Sequence, residues 1–381
     1  MNMFSSSTNQ STKRKLATTE IDDSSDPSDN SALGNRDEER FRAMEWKREE
    51  LGDIGVYVSQ NPVLLSDLLD KLKSQKGTRV TMPGFTKHLI KFTKEVLPFS
   101  LNDINWNKDI SICFDREREA MEQIREVQRN LVDFADRTES EIPFSVDKLA
   151  KRLLHRWFED TFDFLVEVKE MLQKLNNPNL SHDVSKEDTT ILKDSEFAHL
   201  FMKFTEIFFL KPEVSENKKT VLKIRNKVVG CVPDIGFYEH DGERHRARLL
   251  IMLTELKSNA LKKRADEGED SNLPWIERYL ESVVKGQIGM QLVSECWNST
   301  FCPNTLGIIC MKTKIMFLYL EMNPEQYEAL TKNQDLKGKT SCIQYSKPYD
   351  IMKKEDRDQL IDILFWLGCV QKQDFHSYYL M

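Results

Sequence analysis

A chain of 381 residues, 31% of them charged and with a formal charge of −7, has room for two folded units of the usual ~100–200 residues and a tail. It holds no apolar run of the ~18 residues that a membrane crossing needs, and its polar start lacks the apolar core of a secretory signal, so neither a membrane span nor secretion is expected. Seven Cys without a C-x-x-C pair and seven His without zinc-ligand spacing exclude a disulfide framework and a zinc finger, and point to a reducing, intracellular compartment. The negative total does not exclude a nucleic-acid enzyme, which needs only a local positive surface.

Residues 1–38 are Ser, Thr, Asn and Asp with almost no large apolar side chains, the composition of a disordered tail. Lys13-Arg14-Lys15 within it reads first as part of a solvated tail and second as a short nuclear-import signal, and the nucleus is expected ahead of the cytoplasm. Residues 39–176 read as a helical domain or extension. Val63, Leu64, Leu65, Leu68, Leu69 and Leu72 recur at helical spacing, as do Met121, Ile124, Val127, Leu131 and Phe134. A third helix runs from Phe144 through Trp157, Leu165 and Leu172. A protein partner or a second copy would engage through this half. Residues 71–94 carry Lys71, Lys73, Lys76, Arg79, Lys87, Lys91 and Lys94 with no acid. Such a stretch suits a phosphate-tracking surface and a solvated helix face equally well. Residues 177–188, with Pro, Asn and Ser and no apolar period, read as a linker.

Residues 189–381 alternate helix and strand, the pattern of an α/β domain around a mixed central sheet flanked by helices. Residues 194–209 form an amphipathic helix with Phe197, Leu200, Phe201, Phe204, Ile207 and Phe208 inward. At 100° per residue Glu196 lies about 20° from Ile207 and can face the interior, whereas Glu206 faces water. Residues 220–228 alternate as one half-buried strand, with Lys223, Arg225 and Lys227 on its basic face. A strand over 232–238, a turn at Asp241-Gly242, and a second strand beginning with Arg244, Arg246 and Arg248 form a hairpin. That second strand becomes wholly apolar over 249–253, as a strand buried on both faces does, and ends in Glu255-Leu256-Lys257. A helix over 274–297, an apolar hairpin over 305–322 turning near Lys312-Thr313-Lys314, and a helix over 355–370 complete the domain.

A buried strand that ends in Glu and Lys needs a reason, because burying either charge unpaired costs several kcal/mol. Glu255 and Lys257 are two apart and share one face. Asp234 stands on the neighbouring strand. Carboxylates of Asp234 and Glu255 with the carbonyl of Leu256 are hard oxygen ligands suited to Mg²⁺ or Mn²⁺. Lys257 would orient or deprotonate a metal-bound water, and Glu196 could add a ligand from the helix. A two-residue turn at Asp241-Gly242 sets 234 opposite about 249, so Glu255 joins Asp234 only if the first strand bends near Gly236.

Pro233-Asp234, then Glu255-Leu256-Lys257 after an apolar strand, resembles the PD-(D/E)xK, or restriction-endonuclease-like, nuclease superfamily. The resemblance covers about residues 194–322 and assigns no subfamily. It implies a mixed core sheet flanked by helices, a bent first catalytic strand, an acidic residue on the preceding helix (matched in position by Glu196), and a Gln on the following helix, for which Gln287 and Gln291 are candidates. The function implied is metal-dependent hydrolysis of the phosphodiester bonds of DNA, ahead of RNA, with Lys223, Arg225, Lys227, Arg244, Arg246 and Arg248 contacting phosphates near the site. The alternative is a catalytically inactive module of the same fold that binds nucleic acid or protein.

Overall fold

The computed structural model describes residues 40–42, 46–76, 82, 84–106, 115–141, 148–176, 192–214, 220–224, 227–231, 235–241, 246–255, 276 and 280–371. In chain order they form β1 (Arg40–Arg42), α1 (Arg48–Asp53), β2 (Val56–Val58), α2 (Leu65–Lys76), α3 (Thr86–Val96), α4 (Asp115–Glu141), α5 (Lys148–Asn176), α6 (Asp194–Glu206), β3 (Glu213–Val214), β4 (Thr220–Ile224), β5 (Lys227–Cys231), β6 (Ile235–Asp241), β7 (Arg246–Glu255), α7 (Ser282–Glu295), β8 (Thr305–Met311), β9 (Lys314–Glu321), α8 (Pro324–Thr331), β10 (Ser341–Tyr345), β11 (Tyr349–Asp350) and α9 (Lys354–Gln371). All lie in one unit, Glu38–Met381. The expected tail and the linker over 177–188 lie outside the described residues. No described helix is long and apolar enough to cross a membrane.

The architecture is α/β around an open mixed sheet ordered β2-β10-β9-β8-β7-β6-β3, with β11 added to β9. β7 pairs with β8 in parallel, so the chain must cross over between them, and α7 makes that crossover. β6 and β9 run antiparallel to them on either side. The alternation of β8 and β9 supplies both faces. Leu306, Ile308, Ile315, Phe317 and Tyr319 enter one core with α2 to α6 and α9, whereas Ile309, Met311, Met316, Leu318 and Leu320 enter another with α1 and α7. The helices of residues 39–176 therefore share their core with the sheet of residues 189–381. They also supply β2, which pairs with β10.

Close approach and one buried charge lock the helices down. A Cβ on Gly368 of α9 would collide with the backbone of Phe208, and one on Gly286 of α7 with the backbone of Trp46 and Lys47. The Arg357 guanidinium of α9 is fully buried. It donates to the carbonyls of Ile351 at 2.8 Å, Leu97 at 3.0 Å and Phe99, and lies 4.0 Å over the Phe99 ring. Burial lowers its pKa to about 9, so it stays charged at neutral pH.

Several sequence expectations change here. The single basic strand over 220–228 is two strands, β4 and β5. They pair antiparallel from Ile224↔Lys227 outward and join β1 in a separate three-stranded sheet. The alternation was read straight through a reversal, so Leu222, Ile224 and Val229 turn out to share one buried side. Of the helix expected over 274–297, Ser282–Glu295 is a regular helix, and residues 274, 275 and 277–279 lie outside the described residues. Glu206, expected in water, is half-buried and pairs with Lys203 at 2.9 Å. The basic stretch over 71–94 is partly used internally. Lys71 bonds Glu321 at 2.6 Å, Lys76 holds the buried Glu239 at 2.6 Å, and Lys94 lies 3.5 Å from Asp362. The hairpin β8–β9 turns at Lys312-Thr313 as expected.

Candidate active site

β7 is apolar from Leu249 to Leu253 because helices cover both of its faces, and it ends at Glu255. There it lies against β8, with Glu255 opposite Cys310. β6 returns alongside, and its first residue, Ile235, lies opposite Leu253. The expected pairing of 234 with about 249 is therefore corrected by several residues. Asp241 pairs with Arg246, so the loop holds four residues rather than two. The register then slips once more between Phe237 and Tyr238, where Leu250 of β7 is the extra residue. The irregularity expected in the first strand near Gly236 thus carries its extra residue on the second. Beside it, the Tyr238 ring folds across Gly236 so closely that a Cβ there would strike it.

Asp234, Leu256 and Lys257 lie outside the described residues, as do Arg225 and Arg244. Glu255, Lys227 and Arg246 are described in backbone only. Among the described residues no group of three His, Cys, Asp or Glu could hold a metal ion. The donor set proposed for a divalent cation, two carboxylates and a carbonyl, has the hard oxygens that Mg²⁺ takes. The register sets the start of β6 beside the end of β7, where two of those donors enter the chain.

Each described candidate has a definite place. Glu196 sits in the first turn of α6, where one carboxylate oxygen accepts from the Lys193 backbone N–H at 2.6 Å and the other from Lys174 Nζ at 2.6 Å. Both oxygens are thus used by a helix cap and an ion pair. Gln287 is half-buried on α7. It is Gln291, one turn on, that reaches β7. Its amide oxygen accepts from the Thr254 hydroxyl at 2.9 Å, with both side chains buried.

Among the described residues, the basic candidates Arg248 and Lys223 do not lie at the Glu255 end. Arg248 is exposed and pairs with Glu239 in register near the start of β7. Seven residues at ~3.3 Å each set it roughly 23 Å from Glu255. Arg248 and Glu255 therefore stand toward opposite ends of β7. Lys223 is exposed on β4, whose first residue, Thr220, accepts from Asn298 at 3.4 Å, and the Asn298 carbonyl bonds Leu249. β4 therefore also begins at the Arg248 end.

A cation, Lys312 in the β8–β9 turn, stands at the Glu255 end of the sheet. Lys312 follows Cys310, the partner of Glu255, by two residues. Its backbone is left-handed, with φ of 60°. Its ammonium lies 5.9 Å from the centre of the Phe197 ring on α6. Burial lowers its pKa, while Asp194 at the start of α6 raises it. The signal available in the sequence was that a Lys follows directly on the strand parallel to the one bearing Glu255.

The chain matches no protein-family model, and comparison with curated proteins and solved structures gives no significant similarity.

Proposed function

We propose that this protein is a metal-dependent nuclease of the PD-(D/E)xK kind that hydrolyses phosphodiester bonds in DNA. The observation that carries the reading is the register of β6 on β7. Ile235, next in the chain to Asp234, lies opposite Leu253, two residues before Glu255. The strand order adds support. An antiparallel pair followed by a helical crossover to a parallel third strand, with α6 preceding and α7 following, is the mixed arrangement that the sequence resemblance implies.

In this reading Asp234, Glu255 and the Leu256 carbonyl would hold Mg²⁺ or Mn²⁺. When bound, the metal supplies a water of lowered pKa and positive charge against the phosphate. Lys257 would orient the attacking water, help to move its proton and offset charge on the phosphate. β7 is buried on both faces from Leu249 to Thr254, which keeps water from the strand that leads to Glu255. Glu196 acts from further out, fixing the start of α6 through Lys193 and Lys174.

The test is cleavage of plasmid and of labelled oligonucleotides in Mg²⁺ or Mn²⁺ by the wild type, Asp234→Ala and Lys257→Ala. Each substitution should lower the rate at least about a hundredfold. Equal rates for all three proteins would place any activity elsewhere and leave the fold as a binding module.

A further inference from the structure

We propose that Lys312 is a phosphate-binding residue of the same site, gripping a backbone phosphate of the nucleic acid beside the scissile one. This rests on the nuclease reading and gives it the local cation that Arg248 is too far away to supply.

Three independent observations carry it. The first is register. Glu255 lies opposite Cys310, so the loop that follows β8 begins at the same edge of the sheet as the motif on β7. The second is direction. The Lys312 side chain leaves the loop toward Phe197 on α6. Phe197 belongs to the same core as Leu253 and Cys310, the inward residues of β7 and β8 nearest this edge. The third is conformation. Met311 pairs with Lys314, so the loop has two residues, and the first has a φ of 60°. Two-residue hairpins with such a backbone favour Gly, Asn or Asp, because a larger side chain is strained there. A lysine at this position bears that strain and carries its ammonium to within 5.9 Å of the centre of the Phe197 ring, on the α6 side of the sheet. A compact, strongly charged ammonium on a long stem suits an oxyanion of a phosphate better than a base edge. The residue should therefore bind without regard to sequence.

The experiment uses the full chain and a fluorescein-labelled 30-base-pair duplex. Anisotropy is read in Ca²⁺ over a series of salt concentrations, and cleavage in Mg²⁺. Lys312→Gln should weaken binding about fivefold to tenfold and reduce the slope of log affinity against log salt by about one, equally for unrelated sequences. Lys312→Arg should restore both. Lys312→Asn, which suits the left-handed backbone, should fold at least as well as the wild type and bind as weakly as Lys312→Gln. If Lys312→Asn binds with wild-type affinity and slope while Asp234→Ala is inactive, the role of Lys312 is refuted and the nuclease reading stands. If Asp234→Ala cleaves like the wild type, the nuclease reading itself falls, and this inference with it.

Discussion

On one face of the sheet, α6 and α9 meet the strands through Phe, Leu and Trp, and the largest fully buried polar side chain is a guanidinium bonded to backbone carbonyls. On the other, α7 approaches α1 through Gly286 and Gly289 and buries Gln291, Ser294 and Glu295. Both faces exclude water, but they tolerate polarity by different means. The first sets a few ionisable groups, Arg357 and Asp160 among them, in a large apolar core. The second uses local hydrogen bonds, Thr254 to Gln291 and Ser294 to the Met290 carbonyl, while Glu295 keeps one buried oxygen without a hydrogen-bond partner among the described residues. Thr254, the residue before Glu255, is bonded from the second face. The end of β7 is thus fixed by a specific hydrogen bond as well as by packing.

The sharpest way to break this contrast is Arg357→Met. Leu97, Phe99 and Ile351 would each lose a donor in a region closed to water. Removing one partner from a buried charged network typically costs about 3–5 kcal/mol. Chemical denaturation should show a lower midpoint at unchanged slope. Wild-type stability would mean that the guanidinium is not needed where α9 meets the segment after α3.

The same face accepts a carboxylate poorly. Asp160 of α5 is buried, with one oxygen 2.9 Å from Arg156 and no hydrogen-bond partner for the other among the described residues. Burial raises its pKa from 3.8 to about 7, with Arg156 opposing and the nearby Glu206 and Asp163 adding to the rise. Between those values the folded state holds a proton that the unfolded state has lost. The stability contribution therefore falls as pH rises from ~4 to ~7, and the full penalty applies above that. Asp160→Asn keeps an acceptor for Arg156 and removes the charge. It should raise stability by about 2 kcal/mol at pH 8 and by nearly nothing at pH 4. A gain independent of pH would show that Asp160 is ionised throughout in the native state.

Elements with strong single periods were legible from sequence, and pairings were not. The stripe Phe197, Leu200, Phe201 and Phe204 marked α6, and the apolar runs marked β7, β8 and β9. The three-residue β2 and the short α8 and β10 carry too few residues for a period to emerge, and β2 is a strand only because β10 is there to pair with it. The hairpin of β6 and β7 was foreseen, but its loop length was not. Asp241-Gly242 reads as a two-residue turn, and nothing local to it says that the pairing stops at Asp241. A register error of that kind moves every cross-strand neighbour at the far end, which is where the candidate site lies. The arginines misled for a related reason. Alternation gives the face on which a residue lies but not the end of the sheet, so Arg248 looked close to a carboxylate seven residues along the strand.

The smallest effect tests the second face most directly. The Thr254 hydroxyl donates to the Gln291 amide oxygen at 2.9 Å, and both side chains are buried. Gln291→Leu should cost about 1–2 kcal/mol, because the Thr254 hydroxyl loses its acceptor inside the core. Thr254→Val should cost a similar amount by leaving the amide oxygen without its donor. The double variant replaces both polar groups by apolar ones of similar shape, so its loss should be well below the sum of the two. Additive losses would show that the two residues act separately and that α7 is held by its glycines alone. Cleavage by the double variant separates structure from chemistry. Wild-type rates from a stable Gln291→Leu, Thr254→Val protein would assign Gln291 to positioning the end of β7. A loss of rate without a loss of stability would bring Gln291 into contact with the substrate, the role that the resemblance offered to Gln287 or Gln291.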